Sequence, residues 1–166
     1  RYQHPGALLF FDLDRFKLVN DTWGHTQGDE VLREFAQILR NSSRHIDVVS
    51  RFGGEEFAVV LPHTDLEGAR IFAEKVRATL ESADITRVTA DSETLGPLRA
   101  TTSGGGIVLK ELPIEIDIEG WASTLVQAAD ELLYEAKDSG RNRVLIRELA
   151  MDSEERTPAD KTLLVG

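Results

Sequence analysis

The chain has 166 residues, 41% of them hydrophobic, which is enough for one globular domain with its own core. A formal net charge of -10 and a pI near 4.9 argue against a protein whose main task is to grip a nucleic-acid backbone, because that task needs clustered Lys and Arg. Cysteine is absent, which suits a reducing cytoplasm. No apolar run approaches the roughly 20 residues that span a bilayer.

The first half of the chain predicts a strand, two helices and a β-hairpin. ALLFFDLD (7–14) is a short apolar run typical of a buried strand, and Asp14 is placed to cap a short helix that ends at Gly24. Residues 26–43 carry apolar side chains at helical spacing. In VVSRFGGEEFAVVLP (48–62), two strand-like runs flank a pair of glycines, which predicts a hairpin with a tight turn.

The second half predicts a helix, a strand, a second helix and a final strand, at 65–82, 98–109, 121–136 and 144–149. Thr64 and Glu67 have the spacing of a capping box for the first of these helices. The polar stretch 84–97 is ambiguous, and KELPIEIDIEG reads as a loop. The predicted order, β-α-α-β-β-α-β-α-β, indicates an α+β layer fold.

Acidic side chains cluster at the ends of two predicted strands. Asp12 and Asp14 close the first strand, while Glu55 and Glu56 lie at the neck of the hairpin, beside residues that should be buried. If the strands are neighbours, these carboxylates converge and repel one another unless a cation intervenes. Mg²⁺ prefers such oxygen ligands, and paired metals held by acids are a common device for displacement at phosphorus. The alternative is that all four acids are solvated loop residues.

Lys137 and Arg141 lie four positions apart at the end of the last predicted helix. Taken alone, they are best explained as positive charge that complements the helix dipole. Opposite a metal site, they would instead form a clamp for a polyphosphate. The residues by themselves therefore predict an α+β domain with a metal–phosphate site, and they do not name its substrate.

Four motifs then occur in the order of one known family: FFDLDRFKLVND, GHTQGDEVL, RFGGEEF and ADELLYEAKDSGRNRV. Together they resemble the GGDEF family of bacterial diguanylate cyclases, which make cyclic di-GMP from two GTP, over roughly residues 7–148. The resemblance implies a central, mostly antiparallel five-stranded sheet flanked by helices, similar to nucleotidyl cyclases and polymerase palms. It also implies a GTP-dependent nucleotidyltransferase.

The same resemblance assigns site residues. It implies that Asp12, the Leu13 carbonyl, Glu55 and Glu56 hold two divalent cations, Mg²⁺ or Mn²⁺, and that Glu55 helps to deprotonate the attacking 3′-hydroxyl. Asn20 and Asp29 match the family's guanine-reading pair. The triphosphate contacts it implies are the backbone at Arg15, Phe16 and Lys17 and the side chains of Lys137 and Arg141.

Arg44 and Asp47 match the Arg-x-x-Asp site at which some members bind cyclic di-GMP as an inhibitor. The leading hypothesis is therefore a diguanylate cyclase with product inhibition, which needs a homodimer because each domain binds one GTP. The main alternative is a catalytically silent module that senses cyclic di-GMP or GTP. A third option is a nucleotide-binding interaction domain with neither property.

The chain also departs from the family pattern. It opens RYQHPG, without a signal peptide and after the helix and turn that usually precede the first strand, so we expect residues 1–150 to be a catalytic domain with a truncated N-terminal part. Residues 151–166 read as a loose tail. An upstream sensor or receiver domain is expected, in a cytoplasmic protein or the cytoplasmic part of a membrane-anchored one. The run Gly104–Gly106 either loosens its strand or admits close backbone approach.

Overall fold

The structure is a computed structural model that describes residues 4–88, 96–110 and 118–149, with side chains from residue 122 onward in the last segment. Half of the ambiguous stretch 84–97, most of the loop at 110–120 and the predicted tail 151–166 lie outside the described residues. None of the helices in the described part has the length and apolar character needed to span a membrane.

Within the described ranges, nine elements follow one another in the predicted order. The strands are β1 (Gly6–Leu13), β2 (Val48–Arg51), β3 (Glu56–Pro62), β4 (Thr102–Leu109) and β5 (Val144–Leu149). The helices are α1 (Phe16–Trp23), α2 (His25–Ser42), α3 (Leu66–Ser82) and α4 (Ile118–Asp138). The strands form one sheet in the order β2-β3-β1-β4-β5, antiparallel except for the β4–β5 pair. The predicted fold class is confirmed.

Strand β1 lies at the centre of the sheet and is buried on both faces. Leu9, Phe11 and Leu13 point into the larger core, which α2 and α3 cover. Phe10 points to the opposite face and packs with residues of α4. Burial on both faces explains why β1 reads as a continuous apolar run rather than an alternating one.

Gly105 allows α4 to lie directly on β4. A Cβ at this position would stand 2.2 Å from the Ala129 carbonyl oxygen and 2.2 Å from the Leu133 nitrogen, both of which belong to the α4 backbone. No side chain fits into this contact. The glycine run therefore admits close backbone approach, and α4 is placed against the sheet with little tolerance.

Both predicted N-terminal caps are wrong, whereas α1 ends at Gly24 as predicted. The N-cap of α1 is Arg15, in a left-handed conformation and without a side-chain cap bond, because Asp14 binds distant partners instead. At α3 the N-cap is Asp65, whose side chain accepts from the Gly68 amide at 2.8 Å, while the Thr64 hydroxyl donates to the Pro62 carbonyl. The strand predicted at 98–109 begins later, at Thr102, since Leu98 forms only an isolated bridge with Ile85.

Candidate active site

The two acidic clusters meet at one edge of the sheet. Asp12, the penultimate residue of β1, pairs with Glu56 of β3 on one side and with Ser103 of β4 on the other. The Leu13 amide donates to the Glu55 carbonyl at 3.2 Å, which joins the end of β1 to the hairpin turn. Asp12 is only 5% exposed. The predicted convergence is therefore confirmed, and at least Asp12 is not a solvated loop residue.

The hairpin turn is held by Arg51. Its guanidinium donates to the carbonyl oxygens of Gly53 and Gly54 at distances of 2.6 to 3.1 Å. A Cβ at Gly53 would lie 2.5 Å from a carboxylate oxygen of Glu56, so this glycine makes room for the acid. Sequence reasoning did not single out Arg51. Its position directly before the turn is the only sequence signal that could have indicated this role.

Burial and repulsion between neighbouring carboxylates raise the pKa of both Asp12 and Glu55. For Asp12, burial raises the pKa most, with further contributions from Glu56 and Asp14, and Lys137 opposes the rise. For Glu55, burial again raises the pKa most, followed by the charge of Asp12. The Lys137 ammonium lies 2.8 Å from Asp12 Oδ2 and so provides part of the missing positive charge. Lys137 therefore forms a defined ion pair with Asp12 and does more than complement the dipole of α4.

The donor chemistry of this edge fits a hard divalent cation. Asp12, Glu55 and Glu56 supply only oxygen atoms, and Asp12 and Glu55 keep a raised pKa in spite of Lys137, chiefly because burial disfavours their charged forms. In the described part of the chain, however, no three acidic or histidine side chains already stand close enough to hold a metal ion.

The predicted guanine-reading pair lies at the junction of α1 and α2. Asn20 Oδ1 is buried and has no hydrogen-bond partner in the part of the chain that the structure describes, and a Cβ at Gly28 would stand 2.0 Å from it. Asp29, the next residue, is exposed and lines a cavity of about 460 Å³ that extends to Arg51 and Phe57 at the hairpin. The other lining residues are Leu32, Arg33, Ala36, Arg40 and Val49. The cavity thus connects Asp29 with the hairpin.

The predicted phosphate contacts lie on two segments. Arg15 and Lys17 are exposed and Phe16 is buried at the start of α1, where no side chain caps the helix and the first amides stay available to an anion. Lys137 lies at the end of α4, against Asp12, and the exposed Arg141 follows in the turn before β5.

Arg44 and Asp47 share a single turn between α2 and β2. The Arg44 amide donates to Asp47 Oδ2 at 2.6 Å, and the Asp47 amide donates to the Arg44 carbonyl at 3.1 Å. The Arg44 side chain is exposed, while Asp47 Oδ1 is buried and has no hydrogen-bond partner among the described residues. The turn therefore carries one exposed guanidinium and one unsatisfied carboxylate oxygen.

Comparison with known proteins identifies relatives of the whole described fold. The family profile described as "Diguanylate cyclase, GGDEF domain" matches residues 1–143. The probable diguanylate cyclase DgcT of Escherichia coli is 38% identical over 146 residues, covering 87% of this chain and 30% of that protein. The diguanylate cyclase VdcA of Vibrio cholerae is 39% identical over 140 residues, covering 84% of this chain and 38% of that protein. The chain thus spans about a third of the length of these relatives.

Two solved structures show the same architecture. The active GGEEF domain of a diguanylate cyclase from Vibrio cholerae is 30% identical, with a TM-score of 0.72 over 89% of this chain and 85% of that one. The GGDEF domain of DgcB from Caulobacter crescentus, in complex with c-di-GMP, is 31% identical, with a TM-score of 0.73 over 86% of this chain and 77% of that one.

Proposed function

Because the chain belongs to the GGDEF domain family of diguanylate cyclases, we propose that it condenses two GTP into cyclic di-GMP and two pyrophosphates. In each half-reaction a 3′-hydroxyl oxygen bonds to the α-phosphorus of the other GTP, and the bond to pyrophosphate breaks. The observation that carries this proposal is the meeting of buried Asp12 with Glu55 and Glu56 at a hairpin whose Arg51 and Phe57 line the cavity that reaches Asp29.

Glu55 is the base in this proposal. Burial and the charge of Asp12 raise its pKa, so its carboxylate is a stronger proton acceptor than an ordinary glutamate at neutral pH. The proton that it takes comes from the attacking 3′-hydroxyl. Arg51 keeps the turn that carries Glu55 in place, through its bonds to the glycine carbonyls.

Asp29 and Asn20 select guanine. A carboxylate can accept hydrogen bonds from both N1–H and the exocyclic amine of guanine, whereas adenine has no donor at N1. The unpartnered Asn20 Oδ1 offers another acceptor at the same helix junction. The cavity that Asp29 lines is of the size that small-molecule ligands fill. GTP is therefore favoured over ATP.

The acidic edge would hold two Mg²⁺ or Mn²⁺ ions through Asp12, Glu55, Glu56 and the Leu13 carbonyl. Such ions, when bound, neutralise phosphate charge and lower the pKa of the attacking hydroxyl. Lys137, paired with Asp12 in the ligand-free chain, would then turn to the triphosphate, together with Arg141 and the first amides of α1. The same cation thus balances the acids before substrate binds and the phosphates afterwards.

Catalysis would require two copies of the chain, because each copy binds one GTP and the two nucleotides must face each other. We assign residues 1–150 to the catalytic domain and 151–166 to a tail, in a cytoplasmic protein or cytoplasmic part of a larger one. An upstream sensor or receiver domain would control the pairing. The Response regulator PleD of Caulobacter vibrioides, 39% identical over 147 residues, is longer than this chain in the same way, with 29% of it covered.

A second function has its own support at the turn of Arg44 and Asp47. The unsatisfied Asp47 Oδ1 and the exposed Arg44 side chain are suited to the edge and phosphate of a guanine nucleotide. We therefore propose that cyclic di-GMP binds there and inhibits the cyclase. If catalysis is absent, the same turn would serve a sensor module.

The test is incubation of concentrated chain with labelled GTP and Mg²⁺, followed by chromatography. Glu55→Gln should abolish the product, while Glu67→Gln, the same change at an exposed position in the first turn of α3, should not. An early plateau that disappears in Arg44→Ala would support product inhibition. Binding of cyclic di-GMP without any turnover would favour the sensor module instead.

A further inference from the structure

We propose that Asn142 is a positioning residue for triphosphate binding, because it ties the turn that carries Arg141 to β1 on one side and to α3 on the other. The inference rests on the proposed function, since it assumes that Arg141 contacts the phosphates of GTP. It adds Asn142, Asp14 and Arg77 to the residues on which that contact depends. The sequence patterns assign no role to Asn142 or Arg77, and they place Asp14 at a helix cap and in the acidic cluster, not at this turn.

The turn between α4 and β5 has an unusual backbone. Arg141 and Asn142 both adopt left-handed conformations, with φ of 63° and 48°, directly after Gly140 at φ 121°. A non-glycine residue in this region costs on the order of 1 kcal/mol or more, so two in succession persist only where surrounding contacts hold them. Asn tolerates the conformation better than most residues, whereas Arg does not. Two sets of contacts hold the turn: Asp14 binds the backbone amide of Asn142, and residues of α3 bind its side chain.

The first tie is to Asp14, just beyond the end of β1. Its carboxylate accepts from the Asn142 amide at 3.0 Å, from the Thr101 hydroxyl at 2.8 Å and from the Ser103 hydroxyl at 2.6 Å. Asp14 is thus a structural acceptor that joins β1, β4 and the turn. Since Asp12 lies on the same strand end, the turn is fixed relative to the acidic edge itself.

The second tie is to α3. Arg77 Nη1 donates to Asn142 Oδ1 at 2.8 Å, and Asn142 Nδ2 donates to Glu81 Oε1 at 2.7 Å, so both ends of the amide are used. Arg77 is in turn held by two bonds to Glu74 and one to Glu81, and its side chain is only 15% exposed. Asn142 therefore lies between two preorganised anchors.

The consequence is that Arg141 starts from a fixed backbone. The Arg141 amide donates to the Ala136 carbonyl at 3.0 Å, which ties it to the helix end that presents Lys137, while its own side chain is exposed. A charged side chain on a fixed turn loses less freedom when it binds a phosphate, and misplacement by about 1 Å can cost a large part of the effect. Without the ties, the turn could relax toward ordinary right-handed conformations and carry Arg141 away from Lys137.

The test compares binding of GTP with binding of GMP by calorimetry, in the whole chain. Asn142→Gly keeps the left-handed backbone accessible and removes both amide bonds, and Arg77→Leu removes the α3 anchor from a distance. We expect each to weaken GTP binding about tenfold and GMP binding less than twofold, because only the outer phosphates meet Arg141. Arg70→Leu, an exposed arginine of the same helix, should leave both affinities unchanged. In an Arg141→Ala background, Asn142→Gly should add nothing, since the two residues act as one.

Either of two results would overturn the inference: unchanged GTP binding in both variants, or GTP and GMP weakened in equal proportion, which indicates general loosening. Wild-type chain that binds GTP tightly but forms no product even when fused to a dimerisation domain would contradict the proposed cyclase and leave the role of Asn142 standing. Wild-type chain that binds no GTP would refute both.

Discussion

Gly105→Ala should damage stability and substrate binding together, although the residue touches no proposed ligand. The new Cβ would lie 2.2 Å from two backbone atoms of α4, about 1.2 Å short of the 3.4 Å at which ordinary contact begins. Because those atoms belong to Ala129 and Leu133, no side chain can swing aside, and α4 must move away from β4. Overpacking of this kind costs about 1–3 kcal/mol, and backbone contact favours the upper end of that range.

The same displacement reaches the active site through the helix. Lys137, near the end of α4, lies 2.8 Å from Asp12 Oδ2, so a shift of about 1 Å would break or lengthen this contact. We expect a lower urea midpoint and a loss of cyclase activity on the order of 10²-fold for Gly105→Ala. Gly54→Ala is the stability control, since nothing lies within 4 Å of a Cβ there. A Gly105→Ala chain that unfolds at the wild-type midpoint would refute the close-approach argument.

Three further predictions concern charge, a buried amide and base selection. Glu55→Gln should stabilise the ligand-free chain at neutral pH by about 0.5 kcal/mol, measured by urea unfolding, because it removes an acid whose pKa is raised by burial and by Asp12. Gln27→Leu should cost about 1–2 kcal/mol, measured the same way, because the buried Gln27 amide bonds the Thr86 carbonyl and the Val88 amide, and the change leaves both unpaired. Asp29→Asn should raise the KM for GTP about tenfold and reduce the ratio of kcat/KM for GTP to kcat/KM for ATP, measured in steady-state kinetics.

The effect of Glu55→Gln on the free energy of unfolding depends on pH, and the sign of this dependence follows from the raised pKa. With a raised pKa, folded Glu55 binds more protons than the unfolded chain between the ordinary glutamate pKa and its own, so it costs stability as pH rises through that window. Glu74 and Glu81 act oppositely, since Arg77 lowers their pKa and their contribution is lost as pH falls. The difference between wild type and Glu55→Gln isolates the first effect. The difference in unfolding free energy should change with pH across that window and become constant below it, and a difference that stays constant throughout the window would contradict the assignment.

The outcomes of the other two changes are equally distinct. A Gln27→Leu chain as stable as wild type would show that water replaces the amide at Thr86 and Val88. An Asp29→Asn chain with unchanged KM for GTP would remove Asp29 from guanine recognition. Glu67→Gln serves as the common control for charge, because it changes one exposed acid far from the cavity.

The order of the elements could be predicted because its signals are local. Apolar spacing in α2 and α3, the continuous run of β1 and the glycines of the hairpin each report on neighbouring residues. The N-terminal caps of α1 and α3 could not be predicted from the same kind of evidence. Asp14 is well placed to cap α1, yet its carboxylate binds Ser103 and the Asn142 amide, partners that only the folded sheet brings near.

The candidate site likewise has residues that local sequence patterns predict and residues that they do not. The convergence of Asp12 with Glu55 and Glu56 was predictable, since adjacent strands must bring their ends together. The supporting residues were not, because Arg51 and Asn142 act through backbone carbonyls or through a distant helix and have no local signature. The metal ions, the guanine contacts and the inhibitory site stay predictions.

The most direct test of the central claim is turnover by the chain fused to a dimerisation domain, with labelled GTP and Mg²⁺ and with Glu55→Gln in the same fusion. Fusion removes the uncertainty of pairing, so the result depends on the hairpin alone. We predict cyclic di-GMP from the fused wild type and none from the variant. Silence from both, in chains that are folded and paired, would contradict the assignment of Asp12, Glu55 and Glu56 as a catalytic site.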